Sequence, residues 1–100
     1  MIDFDLIVGF EWDQGNSRKS VEKHGVSQSE AEQIFFNDLL LVVEDGLHSQ
    51  REARFHALGR TNEDRPLHVT FALRQEGTRI RIISARAMSR KERALYAKAK

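Results

Sequence analysis

The sequence contains no cysteine, and this absence removes several kinds of chemistry. Without a thiol there is no disulfide, no cysteine nucleophile and no cysteine-ligated metal site. A chain without disulfides suits a reducing compartment, so we expect a cytoplasmic protein. The N-terminal residues also lack the positively charged start of a signal peptide. The longest apolar runs span only a few residues, so we expect no membrane association.

Repeats, low-complexity linkers and shifts in composition typical of a second domain are also absent. The chain has 100 residues, which corresponds to one domain. A chain of this length buries roughly two thirds of its unfolded surface, enough for one modest core. We therefore expect a single domain over residues 1–100.

The net charge is small, but the charges are unevenly distributed. The formal net charge is +1 at pH 7. Residues 1–52 contain four Lys or Arg against eleven Asp or Glu, whereas residues 79–100 contain eight against one. A basic block of this kind attracts polyanions. The alternative is that the acidic and basic blocks neutralise each other within the fold.

The first third of the chain predicts one strand and two helices. Residues 4–10 are rich in Ile, Val and Phe, which predicts a strand. Asp13 is a suitable N-cap for a helix that runs to about His24, and Gly25 is a natural C-terminal stop. The sequence from Ser27 to Glu30 matches a capping box, so a second helix is expected to begin there.

The rest of the chain predicts four strands and a final helix. Ser89, with Glu92 three residues later, forms a second capping box and begins the final helix. Because the strands are joined by short turns, we expect them to pair antiparallel. The predicted fold is α+β, an antiparallel sheet with two N-terminal helices and one C-terminal helix packed on it. The four predicted strands cover residues 39–43, 54–59, 68–73 and 79–85.

Arginines are concentrated where the last predicted strand runs into the final helix. Guanidinium is planar, always charged and matched to phosphate by its fork of donors. The alternative is a solvated edge strand followed by a surface helix. Arg79 and Arg81 share a strand face by alternation, whereas Arg86 has the opposite parity. All three share one face only if a bulge lies between them.

Four further side chains suit acid–base chemistry or phosphate binding. Glu52 and Arg54 are two residues apart at the start of a strand, so they project from the same face. They are either a base beside a phosphate clamp or an ordinary surface ion pair. His24 is either a proton shuttle or a helix C-terminal residue that interacts with the last carbonyls. Lys23 either binds phosphate or is simply solvated.

The other three histidines do not form a recognisable metal site. His48, His56 and His68 do not fall at a metal-ligand spacing on one element. We interpret them as structural or exposed residues, and we predict no metal and no cofactor.

The sequence contains three groups of short motifs. Each motif alone is a weak signal, but their order and spacing together are fairly specific. The first group begins and ends the first helix, the second surrounds the central turn, and the third ends the chain. They are Phe10-Glu11-Trp12-Asp13-Gln14-Gly15-Asn16 with Lys19 and Lys23-His24-Gly25-Val26; Asp45, His48-Ser49, Glu52 and Arg54 with Leu58-Gly59-Arg60; and Ile83-Ser84-Ala85-Arg86 with Arg90, Glu92 and Tyr96.

Together these motifs resemble the BrnT family of toxins, small ribonucleases with a RelE-like fold, over residues 10–96. The resemblance implies cleavage of RNA and so arrest of translation. It also implies a cognate BrnA-like antitoxin with a ribbon-helix-helix DNA-binding part. The toxin–antitoxin complex is expected to bind and repress its own operator, with a homodimer as a possible unit of that complex.

Metal-independent RNA cleavage needs a base for the ribose 2′-OH, an acid for the leaving 5′-oxygen and cations around the phosphate. The alternatives are a non-catalytic module that binds nucleic acid or protein, and a co-repressor scaffold for the antitoxin. The predicted catalytic residues are Lys23, His24, Glu52, Arg54 and Arg86, and the predicted RNA-binding residues are Lys19, Arg79, Arg81, Arg90 and Lys91.

Overall fold

Five strands and three α-helices make up the computed structural model, which describes residues 2–47 and 52–99. The strands form one sheet in the order β1-β5-β4-β3-β2. Short 3₁₀ turns lie at Phe4–Leu6 and Ile34–Phe36. In chain order the elements are β1 (Gly9–Trp12), α1 (Gln14–His24), α2 (Gln28–Gln33), β2 (Leu41–Asp45), β3 (Arg54–Arg60), β4 (Pro66–Arg74), β5 (Arg79–Ala87) and α3 (Arg90–Lys98).

The predicted α+β architecture is confirmed, with one difference in strand direction. Strands β2 to β5 pair antiparallel in sequence order. Strand β1 instead pairs parallel to β5 at the other edge of the sheet. The sheet is therefore mostly antiparallel.

Strand β1 begins later than the sequence predicts. Residues Phe4–Leu6 form a 3₁₀ turn, and the backbone N–H of Asp5 donates to the Asp3 side chain at 3.0 Å. The first paired residue is Gly9, which lies opposite Arg79, the first residue of β5. Residues before Gly9 therefore have no partner strand, and their apolar character alone does not make them a strand.

The ends of the helices lie close to where the capping signals place them. The Asp13 side chain accepts from the backbone N–H groups of Gly15 and Asn16. Gly25 ends α1 with a left-handed φ of 64°, a conformation that glycine adopts without steric cost. Both predicted capping boxes form, at the starts of α2 and α3.

The helices cover the two faces of the sheet unequally. Helices α1 and α2 cover the face that carries the main core, whose largest members include Phe71, Ile34 and Ile82. Helix α3 covers only one end of the other face, and there Leu58 and Tyr96 form a smaller apolar cluster with Met88, Leu39 and Leu41. Among the described residues, no helix covers the rest of this second face between α3 and the far end of the sheet.

Candidate functional site

The open face of the sheet carries most of the guanidinium groups of the central strands. Side chains alternate between faces along a strand, so the residues between the core positions of β3, β4 and β5 all point to this side. We call this surface the arginine face. It comprises Arg54, His56, His68, Thr70, Arg74, Arg79, Arg81, Ser84 and Arg86.

A β-bulge in β5 places Arg86 on this face. Thr70 of β4 pairs with Ser84, but the next residue, Phe71, pairs with Ile82. Ile83 is thus an extra residue without a partner, and the alternation reverses there. This is the bulge that the shared face of Arg79, Arg81 and Arg86 requires.

Arg86 is fixed by a two-point hydrogen bond to α3. Its Nη1 donates to Oε1 of Glu92 at 2.7 Å, and its Nη2 donates to Oε2 at 2.9 Å. The hydrogen bonds from Arg86, together with the backbone N–H of Ser89, lower the pKa of Glu92 to about 2, although partial burial opposes this shift. The same contact raises the pKa of Arg86 above its ordinary value. The Arg86 side chain remains 38% exposed, so it is anchored but accessible.

His68 lies beside this ion pair and is neutral at pH 7. Its Nε2 is 3.9 Å from Oε2 of Glu92. Burial, followed by the nearby charge of Arg86, lowers the pKa of His68 to about 4, although Glu92 opposes the shift. Its Nδ1 is buried and has no hydrogen-bond partner among the described residues.

Glu52 contacts two arginines of the same face. Its carboxylate lies 3.2 Å from Nε of Arg74 and 3.6 Å from Nη1 of Arg81. All three side chains are about one third exposed, so these are screened, exchangeable contacts rather than a buried ion pair. Arg54 begins β3 opposite Ala72, and Arg81 lies opposite Ala72 on its other side. Arg54 and Arg81 therefore flank a small alanine side chain.

Arg79 has a largely structural environment at the edge of the arginine face. Its Nε lies 3.1 Å from Oε2 of Glu11, and its Nη2 donates to the backbone carbonyl of Phe10. These contacts join β5 to β1 and occupy some of the N–H donors of the Arg79 guanidinium group.

Two histidines of the arginine face, which the sequence alone predicts only to be structural or exposed, lie among polar groups. His56 has Nε2 2.9 Å from Oδ2 of Asp45 and Nδ1 3.0 Å from Oγ1 of Thr70. The rings of His56 and His68 are 4.9 Å apart. His56 is two residues from Arg54 in β3, so strand alternation contained the signal that the two share a face. His48 lies outside the described residues.

The described residues contain no group of three or more His, Asp or Glu positioned to hold a metal ion. In the same part of the chain, no helix is long and apolar enough to cross a membrane.

Comparison with protein families supplies the identification. Residues 12–92 match the family model described as the ribonuclease toxin, BrnT, of type II toxin–antitoxin systems. The chain belongs to the BrnT family. The resemblance inferred from the motifs is therefore confirmed, and the chain is a ribonuclease toxin of a type II system with a cognate antitoxin and an RNA substrate.

The fold is also found in a solved structure. The chain is similar to the 1.1 Å crystal structure of the Brucella abortus ribonuclease toxin BrnT, with a TM-score of 0.65 and 20% sequence identity. The match covers 83% of this chain and 99% of the Brucella chain. At this identity the likeness shows a common fold. No curated protein matches the sequence.

Within this BrnT fold, the residues predicted from the sequence fall into two groups. Glu52, Arg54 and Arg86, with the predicted RNA-binding residues Arg79 and Arg81, lie on or beside the arginine face. The second group lies on the helices: Lys19, Lys23 and His24 on α1, and Arg90 and Lys91 on α3.

The residues of α1 are set apart from the arginine face. The buried Ser20 accepts the backbone N–H of Ala85, which fixes α1 along β5. The side chains of Lys19, Lys23 and His24 are exposed and make no hydrogen bond or ion pair within residues 2–47 and 52–99. The structure therefore does not join these side chains to Glu52 or Arg54 by a hydrogen bond or an ion pair.

Proposed function

We propose that the arginine face is the site of a metal-independent endoribonuclease. In this reaction the ribose 2′-OH attacks the adjacent phosphate, and the products are a 2′,3′-cyclic phosphate and a 5′-hydroxyl. The observation that carries the proposal is the bulge at Ile83, which brings Arg86 onto the same open surface as Arg54 and Arg81. RNA supplies its own nucleophile, so the protein needs only to position the phosphate, transfer protons and stabilise charge.

Arg54 and Arg86 are the proposed phosphate ligands. A guanidinium group donates to two phosphate oxygens at once and becomes more favourable as negative charge develops in the transition state. Glu92 holds Arg86 by both terminal nitrogens, which reduces the conformational freedom that Arg86 would lose on binding RNA.

Proton transfer is assigned to groups on both sides of β5. Glu52 is the proposed base on the arginine face, with His24 as the other candidate. His24 or Lys23 serves as the acid if the RNA strand passes over the edge of the sheet to α1. Further positive side chains bind the RNA backbone in this proposal: Lys19, Arg79, Arg81, Arg90 and Lys91.

The biological role follows from the reaction. Cleavage of RNA in the cytoplasm stops translation, and a BrnA-like ribbon-helix-helix antitoxin neutralises the toxin. The net charge of +7 over residues 79–100 supports binding of an acidic antitoxin segment. The complex, built on a toxin homodimer, represses its own operon.

Translation in cells tests this role. Inducing the chain in a bacterial host without antitoxin should stop incorporation of labelled amino acids, and co-expression of the antitoxin should restore it. Arg86→Ala should abolish the arrest, whereas Arg18→Ala, which removes an exposed arginine of α1, should preserve it. Full arrest by a folded Arg86→Ala protein would refute the assignment of Arg86.

A further inference from the structure

The arginine face contains a histidine whose surroundings fit a proton donor. We propose that His56, oriented by Asp45, is the general acid that protonates the leaving 5′-oxygen during RNA cleavage. The inference rests on the proposed ribonuclease function and replaces the acid role offered above to His24 or Lys23.

The carboxylate of Asp45 fixes one side of the His56 ring. Nε2 of His56 donates to Oδ2 of Asp45 at 2.9 Å. The Asp45 side chain is only 11% exposed, whereas that of His56 is 31% exposed. A largely covered carboxylate therefore orients an imidazole that solvent and substrate can reach.

The hydroxyl of Thr70 accepts a hydrogen bond from the other nitrogen of the protonated ring. Nδ1 of His56 is 3.0 Å from Oγ1 of Thr70, and a hydroxyl oxygen accepts a hydrogen bond from an imidazolium N–H. Both N–H groups of the imidazolium thus have acceptors. Only the Thr70 acceptor is uncharged, so Nδ1–H is the proton that a developing negative oxygen on RNA takes most easily.

The sheet register places His56 between the proposed phosphate ligands. Residues directly opposite each other on neighbouring strands form rows across the arginine face, and successive rows on one face are about 7 Å apart. In sheet order from β2 to β5, the rows are Asp45-Arg54-Ala72-Arg81, then Val43-His56-Thr70-Ser84, then Leu41-Leu58-His68-Arg86.

His56 therefore belongs to the middle row, with Arg54 in the row on one side and Arg86 in the row on the other. A phosphate that both guanidinium groups contact lies over this middle row. By contrast, the side chain of His24 in α1 makes no hydrogen bond or ion pair with any of these rows within the described residues. His56 is therefore better placed than His24 to protonate the leaving oxygen of a phosphate bound by Arg54 and Arg86.

The step balances with the groups of this face. The proton of the 2′-OH passes to the carboxylate of Glu52 while O2′ forms a bond to phosphorus. The bond between phosphorus and O5′ breaks, and O5′ takes the proton from Nδ1 of His56. The products are the cyclic phosphate and the free 5′-hydroxyl, and water returns the proton from Glu52 to His56.

A substrate with a sulfur leaving group tests this step. In an RNA whose scissile 5′-bridging oxygen is replaced by sulfur, the leaving thiolate departs without protonation. We expect His56→Ala to cleave ordinary RNA at least about 100-fold more slowly than the unchanged protein. On the sulfur substrate, it should cleave within a few-fold of the unchanged protein. Glu52→Gln, which lacks the base, should be slow on both substrates.

Two further variants separate catalysis from folding. His56→Gln keeps an amide between Asp45 and Thr70 but has no proton to transfer, so it should fold like the unchanged chain and show the same rescue by sulfur. Asp45→Asn should slow the cleavage of ordinary RNA, because the ring loses the charged acceptor that orients it, and it should cleave the sulfur substrate within a few-fold of the unchanged protein. A purely structural role for Asp45 would lower the activity on both substrates.

The outcomes separate this inference from the proposed function. Cleavage of ordinary RNA by His56→Gln at the normal rate would overturn the inference, as would an equal loss on both substrates by a folded variant. Rescue of His24→Ala instead of His56→Ala would assign the acid to α1. If the unchanged protein cleaves neither substrate, the proposed ribonuclease function itself fails.

Discussion

The guanidinium of Arg86 and the carboxylate of Glu92 form two parallel hydrogen bonds, of 2.7 and 2.9 Å. The same carboxylate accepts the backbone N–H of Ser89 at 2.8 Å and so completes the capping box of α3. One side chain therefore both begins the C-terminal helix and holds the arginine proposed to bind phosphate. The position of that arginine depends on the helix as well as on the sheet.

Replacing Glu92 by glutamine should destabilise the protein. The change removes the charge from hydrogen bonds to Arg86 and weakens the α3 cap, so we expect a loss of about 1–2 kcal/mol in the free energy of unfolding, after allowing for solvent screening. Urea denaturation measures this loss. Glu22→Gln, at an exposed position of α1, is the matched control and should change little. Equal effects of the two changes would contradict the account.

Stability should fall as the pH decreases from about 6.5 to about 4. The unfolded chain protonates His68 near pH 6.5, whereas burial and Arg86 lower the folded pKa to about 4. Between these values the unfolded state binds more protons, so the free energy of unfolding rises with pH. The contribution of His68 reaches its full value above pH 6.5. Each pKa unit corresponds to about 1.4 kcal/mol. Denaturation curves across this pH range measure the effect.

His68→Gln should remove most of this pH dependence, whereas His24→Gln, which changes an exposed residue of α1, should retain it. Below pH 4.5 a separate decrease is expected down to about pH 2, because Glu92 has a folded pKa of about 2 and its ion pair with Arg86 is lost on protonation. A His68→Gln protein with an unchanged decrease between pH 6.5 and 4 would show that another group causes it.

Gly59 should not tolerate alanine, although Gly46 should. A Cβ atom at Gly59 would lie 2.9 Å from Cβ of Ile34 and 3.3 Å from Cδ1 of Leu40. Ile34 is fully buried, so it has little room to move, and we expect a loss of about 1–3 kcal/mol. No atom lies within 4 Å of a Cβ built at Gly46. Thermal unfolding of both variants checks this contrast, and similar melting temperatures would contradict it.

The features that local sequence determines were predictable. Asp13, Ser27 and Ser89 cap the three helices as expected, because a cap depends on residues a few positions apart. The start of β1 was not predictable in this way, because it depends on where β5 begins. A strand needs a partner, and the pairing of Gly9 with Arg79 joins residues that are far apart in the sequence.

The candidate site was predictable only in part, for the same reason. Alternation showed that Arg86 needs a bulge to join Arg81, and two adjacent isoleucines, Ile82 and Ile83, mark where the alternation breaks. The relation of His56 to Asp45 and Thr70 depends on the register of three strands. Composition and local spacing do not specify that register, so these residues were not recognised as a group.

Cleavage of a defined RNA by purified, antitoxin-free protein in EDTA tests the central claim most directly. We expect fragments that end in a 2′,3′-cyclic phosphate and begin with a 5′-hydroxyl. Arg86→Ala should abolish cleavage while remaining folded, and Arg18→Ala should cleave normally. Cleavage that requires added metal, or equal cleavage by a folded Arg86→Ala protein, would contradict the account. RNA that is bound in a strongly salt-dependent manner but left intact would indicate a binding module instead.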